Sequence, residues 1–131
     1  MSQANVDVFL RSAEAVSRND VEGVLATMDP EVEFIPQRAP VQGAYRGHAD
    51  LRRFLEDNEE TFEVFEWRPL EVRDLGDRVL GIGALHIRGK GSGVDTEVPS
   101  AVVATFKAGL VVHFKDHVER AAAFEAVGLS Q

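Results

Sequence analysis

The sequence predicts an α+β domain, in which a curved antiparallel sheet wraps on three N-terminal helices and a short helix stands at the C-terminal end. Two observations carry the prediction. Up to about residue 61 the apolar residues recur at helical spacing, and from residue 64 the period changes to that of strands. Helices in one block followed by strands in another point away from alternating βαβ units. The 131 residues suit one domain, 1–131, because domains most often hold roughly 100–150 residues.

Each element has its own signal. Val6, Phe9, Leu10, Ala13 and Val16 make residues 6–18 an amphipathic helix. Asn19, with Glu22 three residues on, resembles a capping box for a second short helix. Its stripe is Val21, Val24, Leu25 and Met28, and Asp29-Pro30 should close it, since the residue before proline avoids helical geometry. Val32–Ile35 reads as a short strand ended by Pro36, and 36–47, with Pro36, Pro40, Gly43 and Gly47, as a loop. A third helix follows over about 48–61, with Leu51, Phe54 and Leu55 as its stripe. Four strands are expected at 65–74, 79–88, 96–107 and 110–118. Pro69 suggests a bulge or a sheet edge. A terminal helix over about 119–127 should stop at Gly128.

Alternation assigns the strand faces. Leu110, Val112, Phe114, Asp116 and Val118 share the expected core face of the last strand, and Val111, His113, Lys115 and His117 the outer one. Asp116 is the acidic member of the apolar set. A carboxylate there is costly unless bonded, and is often functional. Two readings stand side by side: a strand-end carboxylate bonded to a backbone N–H or to Arg120, or a group in a pocket, its pKa raised by burial. Gly81 and Gly83 share one face with Leu85 and Ile87, which allows a sharp bend, a cavity, or both. Leu80, Ile82, Ala84, Val103 and Val111 are expected on the convex face, where an exposed apolar patch would mark a homodimer interface.

Composition narrows the function classes. A net charge of −8 argues against nucleic acid and against an anionic membrane surface. No cysteine is present, so thiol nucleophiles, disulfides and Cys-based zinc sites are excluded. Asp7, Arg11 and Glu14 interrupt the first apolar stretch, unlike a signal peptide, and no apolar run approaches the ~20 residues of a membrane span. The expectation is a cytoplasmic protein. His113 and His117 are one turn apart only on a helix. On a strand they are ~13 Å apart, too far to share one metal ion, so no metal or other cofactor is expected. Gly89-Lys90-Gly91-Ser92-Gly93 joins two strands and lacks phosphate-loop spacing.

Several phrases together resemble a known family. These are Asn19-Asp20, Asp29-Pro30-Glu31-Val32, Tyr45-Arg46-Gly47 before Leu51-Arg52-Arg53-Phe54, Gly76-Asp77-Arg78-Val79, Gly91-Ser92-Gly93, Thr105-Phe106-Lys107-Ala108-Gly109, and Phe114-Lys115-Asp116 with Arg120-Ala121. They are similar to the SnoaL-like branch of the nuclear transport factor 2-like superfamily, across essentially the whole chain. The resemblance implies a cone: a strongly bent antiparallel sheet closed by helices around a deep pocket. It also implies a homodimer that pairs sheet to sheet. Position by position, the steroid isomerase's base falls at Ile35, its helix-1 tyrosine at about Ser12 and its oxyanion-hole aspartate at about Val102, so none of those roles survives. The epoxide hydrolase's carboxylate base matches Asp116, while its Arg-x-Asp pair would fall near Gly83 and Leu85 and is absent. Polyketide cyclases are the least damaged enzyme analogy.

The expected pocket is lined by Ser12, Ile35, Phe54, Leu85, Val102 and Phe114, with Asp116 as its catalytic candidate. Phe54 comes from a helix stripe, and the others from that carry-over or from inner strand faces. The expected function is a pocket protein for a flat hydrophobic small molecule, with any acid/base chemistry at Asp116. The alternatives are an enzyme of the cyclase, isomerase or epoxide-hydrolase kind, and a non-catalytic dimeric module.

Overall fold

The structure, a computed structural model, describes residues 2–37 and 44–129. Helix α1 (Gln3–Ser17) starts at Ser2, whose hydroxyl accepts the Asn5 N–H at 3.2 Å, satisfying one of the amides that a helix start leaves unpaired. Val6, Phe9, Ser12 and Ala15, three residues apart, make its buried face. Helix α2 (Val21–Leu25) is capped by Asp20, which accepts the Gly23 N–H at 3.0 Å. The box expected on Asn19 and Glu22 is therefore displaced by one residue. Asn19 takes the turn between the helices at φ 57°, a left-handed conformation that asparagine tolerates. α2 also ends before Asp29-Pro30, and Met28, expected on its stripe, opens strand β1 (Met28–Ile35).

The remaining elements among the described residues are β2 (Tyr45–Arg46), α3 (Gly47–Thr61), β3 (Phe62–Asp74), β4 (Arg78–Gly89), β5 (Asp95–Lys107), β6 (Leu110–His117) and α4 (Arg120–Ala126). Of the loop expected over 36–47, residues 38–43 lie outside the described residues. Six strands form one open sheet in the order β2-β1-β6-β5-β4-β3. Every neighbouring pair is antiparallel except β1 and β6, which run parallel, with Phe34 opposite Phe114 and Ile35 opposite Lys115. β3 is an edge strand, and its register slips between Pro69 and Glu71; both readings of Pro69 hold. Gly128 stands past the last helix at φ 75°.

The sheet is covered by helices on its inner face and, in part, on its outer face. α1, α2 and α3 pack their apolar stripes on the inner face with Met28, Phe34, Trp67, Val79, Val102 and Ala104. On the outer face α4 lays Ala123, Phe124 and Val127 over Leu80, Ile82, Ala101 and Val103. Double burial explains the unbroken apolar run Ala101–Ala104 in β5. Phe124 is flanked by two guanidinium groups, Arg73 at 4.8 Å and Arg120 at 5.7 Å from its ring centroid.

Three face assignments are corrected by these contacts. Leu80, Ile82 and Val103 lie on the convex side as expected, but α4 covers them, so they are no exposed patch. Val111 belongs to the inner core, not the outer face, whereas Leu110 and Val112 are only partly buried. The register slips between Thr105 and Phe106, opposite the start of β6, and this shifts the alternation there. Ile35 is the third: its partner Lys115 stands on the outer face, and Phe34 points inward.

Candidate functional site

The inner face of the sheet and the helices above it enclose a cavity of about 260 Å³. Phe9, Ser12, Ala13 and Val16 of α1, Met28 and Phe34 of β1, and Phe54 of α3 line one side. Phe65, Trp67, Leu85, Ile87, Val98, Val102, Phe114 and Asp116 line the sheet side, with Pro36, Gln37 and Phe62 completing the boundary. Aromatic rings dominate. Phe34 stacks on Phe114 with centroids 4.5 Å apart and planes 13° apart, and Phe54 meets Phe34 at 5.0 Å and Tyr45 at 5.1 Å. Neighbouring rings at such separations lock one another in place.

Of the residues predicted from the sequence, Ser12, Phe54, Leu85, Val102, Phe114 and Asp116 surround this one cavity. Ile35 does not, because β1 pairs with β6 in a register that turns it outward. Its chain neighbours Phe34 and Pro36 take the place intended for it.

Asp116 is the sole titratable group among the described residues that line the cavity. Burial raises the pKa of its carboxyl, while the Ser100 hydroxyl bonded to it, and the Gln37 amide and Ala101 N–H that lie close without completing a hydrogen bond, pull the other way. Its two oxygens are not equivalent. Oδ2 accepts the Ser100 hydroxyl at 2.9 Å. Oδ1 is sealed from solvent and has no hydrogen-bond partner among the described residues. Arg120, the alternative partner considered from sequence, is elsewhere: it lies 3.5 Å from Glu71 and beside Phe124 on the outer face.

Two residues of this arrangement were not foreseen. Ser100 is 2% exposed, and its Oγ also receives the Trp67 indole N–H at 2.9 Å. Trp67 stands on β3 and Ser100 on β5, so the indole must cross β4. It crosses at Gly83, where a Cβ would lie 3.2 Å from Trp67 Cζ2. At Gly81 a Cβ would lie 2.8 Å from Phe9 Cε2 and 3.0 Å from Trp67 Cη2. The T-shaped Phe9–Trp67 pair, centroids 5.5 Å apart, thus fills the space at Gly81, while at Gly83 the Arg68 carbonyl of β3 stands closest with the Trp67 ring beside it. The available signal was a serine at an inward position of an otherwise apolar strand, two strands from a tryptophan, with glycines between.

Among the described residues no group of three or more His, Asp or Glu side chains is placed to hold a metal ion, and no helix is long and apolar enough to cross a membrane.

The comparisons with known proteins agree with the fold. A crystal structure of a protein of unknown function from Burkholderia pseudomallei K96243, NTF2-like in fold, is 26% identical, covering 95% of this chain and 97% of that one, with a TM-score of 0.80. TerC, crystallised with polyporic acid, is 23% identical over 96% of this chain and 99% of that one, TM-score 0.79. A SnoaL-like polyketide-cyclase candidate from Shewanella denitrificans OS-217 is 18% identical over 88% of this chain and 90% of that one, TM-score 0.77. The last two likenesses concern the fold alone. No curated protein sequence matches the chain. The sequence profile of the SnoaL-like domain matches residues 9–114, from the first helix to the cavity wall at Phe114. The chain therefore belongs to the SnoaL-like domain family, a branch of the NTF2-like superfamily.

Proposed function

We propose that the cavity binds a flat, largely hydrophobic small molecule carrying a hydrogen-bond-donating group, and that the Asp116 carboxylate receives that group. The observation that carries the reading is a carboxylate, with one oxygen buried and unpartnered among the described residues, on the wall of a largely apolar cavity. Burying such an atom without a partner costs on the order of 1–3 kcal/mol or more, and a ligand O–H or N–H would recover part of it. The Phe34–Phe114 stack and Phe54 favour a planar ligand over a bulky one. Ser12 and Gln37 supply the other polar side chains near it, apart from the Trp67 indole.

Chemistry of the cyclase kind would rest on the same group. A carboxylate whose pKa is raised by burial is the stronger base once deprotonated, which suits a general base. Asp116 would take the proton of a ligand hydroxyl or of a carbon beside a carbonyl onto its carboxylate and return it to the product. A homodimer is part of the proposal, as the family resemblance implies. With α4 seated on Leu80, Ile82 and Val103, pairing falls on the strip of outer face around Ala84, His86, Pro99 and His117.

The test is a thermal-shift screen of planar aromatic compounds with free hydroxyls, each beside its O-methyl ether, and with polyporic acid included because a protein of the same fold has been crystallised with it. At a hundred times its Kd a ligand stabilises by about 2.7 kcal/mol, which raises Tm by roughly 10 °C for a chain of this size. The hydroxylated compound should give that rise, and its ether and the Asp116→Asn protein should lose most of it. A screen in which no planar compound moves Tm refutes the pocket. A full rise in the Asn variant refutes the role of Asp116.

A further inference from the structure

We propose that Ser100 and Trp67 are positioning residues for the Asp116 carboxylate: the indole fixes the direction of the Ser100 hydroxyl, and that hydroxyl is held as a donor to Oδ2. The inference rests on the reading of Asp116 as the polar group that meets the ligand. It follows from hydrogen-bond inventory. An indole N–H can only donate, so at 2.9 Å Ser100 Oγ must accept from it. Ser100 has one proton left, and Asp116 Oδ2 is 2.9 Å away, so the proton points there. The polarity of the chain Trp67 to Ser100 to Asp116 is therefore set by the end that cannot reverse.

That polarity distinguishes the carboxylate oxygens. A proton placed on Oδ2 would turn the Asp116–Ser100 bond around and leave the Ser100 proton without an acceptor inside the core, where Ser100 is 2% exposed. A stranded buried donor is costly. A proton placed on Oδ1 disturbs neither bond. In the charged state of Asp116 the chain therefore keeps Ser100 as a donor to Oδ2 and couples the indole to the carboxylate. The donor chain also polarises the Ser100 hydroxyl, which strengthens its bond to the charged carboxylate. Trp67, although it lines the cavity, acts on Asp116 through Ser100. Gly83 permits this by leaving the indole a path across β4.

The chain has one tryptophan, so the ¹⁵N-labelled protein shows a single indole N–H resonance to read against the Asp116 carboxyl carbon by NMR. In the unmodified, ligand-free protein the indole shift should step at the Asp116 midpoint, and Asp116→Asn should abolish the step. Ser100→Ala should raise the Asp116 midpoint by about one pH unit, since a hydrogen bond to a charged group has been removed. It should also uncouple the indole from what remains of the titration. An indole resonance flat through the Asp116 midpoint overturns the proposal, as does an unmoved midpoint in Ser100→Ala. Merely structural roles for these residues would lower Tm without coupling the two titrations. Because the reading is made without ligand, it can fail while the ligand screen succeeds, and the reverse.

Discussion

Adding one methyl group at Gly83 should disturb both the packing and the polar chain. The backbone of Gly83 does not stand in the left-handed region, so alanine is conformationally permitted. Its Cβ, however, would press into the carbonyl of Arg68, 3.1 Å from the carbonyl carbon and closer still to the oxygen. A carbonyl of a paired strand cannot swing aside as a side chain can, so β3 must move at the slip beside Pro69. Overpacking of this sort costs about 1–3 kcal/mol, occasionally more, and the fixed neighbour argues for the upper part of that range. Alanine returns about 0.4–1 kcal/mol by stiffening the unfolded chain. The net loss is about 2 kcal/mol, or roughly 7 °C in Tm for a chain of this length. Thermal unfolding by far-UV circular dichroism measures it, and the near-UV band of Trp67 reports the displaced indole locally. Gly81→Ala should cost less, because the Phe9 ring it meets can turn. A Gly83→Ala protein melting within about 2 °C of the parent, with its near-UV band intact, would refute the claim that the missing side chain makes room for Trp67.

Two further outcomes are expected. The folded-state pKa of Asp116 is raised, so its contribution to stability is fully present below its unfolded value and lost as pH rises through the folded one. Asp116→Asn should therefore gain on the parent from about pH 4 upward, by about 1.4 kcal/mol for each unit separating the two pKa values, and level off above the folded pKa. Paired denaturant titrations across pH 4–8 read the difference, and a parent that stays ahead of the variant throughout would show a carboxylate stabilised by its hydrogen bonds. Sedimentation at micromolar concentration should show a species of twice 14.4 kDa, and a boundary at the monomer mass alone rules the dimer out.

The sequence made most of the fold legible because period and punctuation are local. α1, α3 and the four long strands were each visible in the spacing of their own residues. What failed depends on partners far along the chain. Ile35 was misplaced because the face of β1 is decided by its pairing with β6, some eighty residues later. Val111 was misplaced by a slip in the register of β5 against β6. Asp116 could be found, since an acid breaking an apolar alternation is a local anomaly. Ser100 and Trp67 could not be joined, because the hydrogen bond between them spans 33 positions and depends on a glycine in a third strand. That α4 covers part of the outer face is likewise decided by packing between distant elements. An apolar strand face looks the same in sequence whether a helix or a second subunit buries it.

The parallel pairing of β1 with β6 governs when the cavity can exist. The meander from β3 to β5 joins neighbours in sequence and needs only short loops to close. Phe34 has no ring to stack on until Phe114 has been synthesised and β6 has docked between β5 and β1. Closing so long a loop is entropically expensive and slow relative to hairpin formation. A nascent chain therefore carries an apolar β1 with an unpaired edge while the rest of the sheet forms, the kind of surface that invites aggregation or a chaperone. The Phe34–Phe114 stack and Asp116 arrive together, in the same closing step, so a chain arrested before β6 has neither that stack nor the acid.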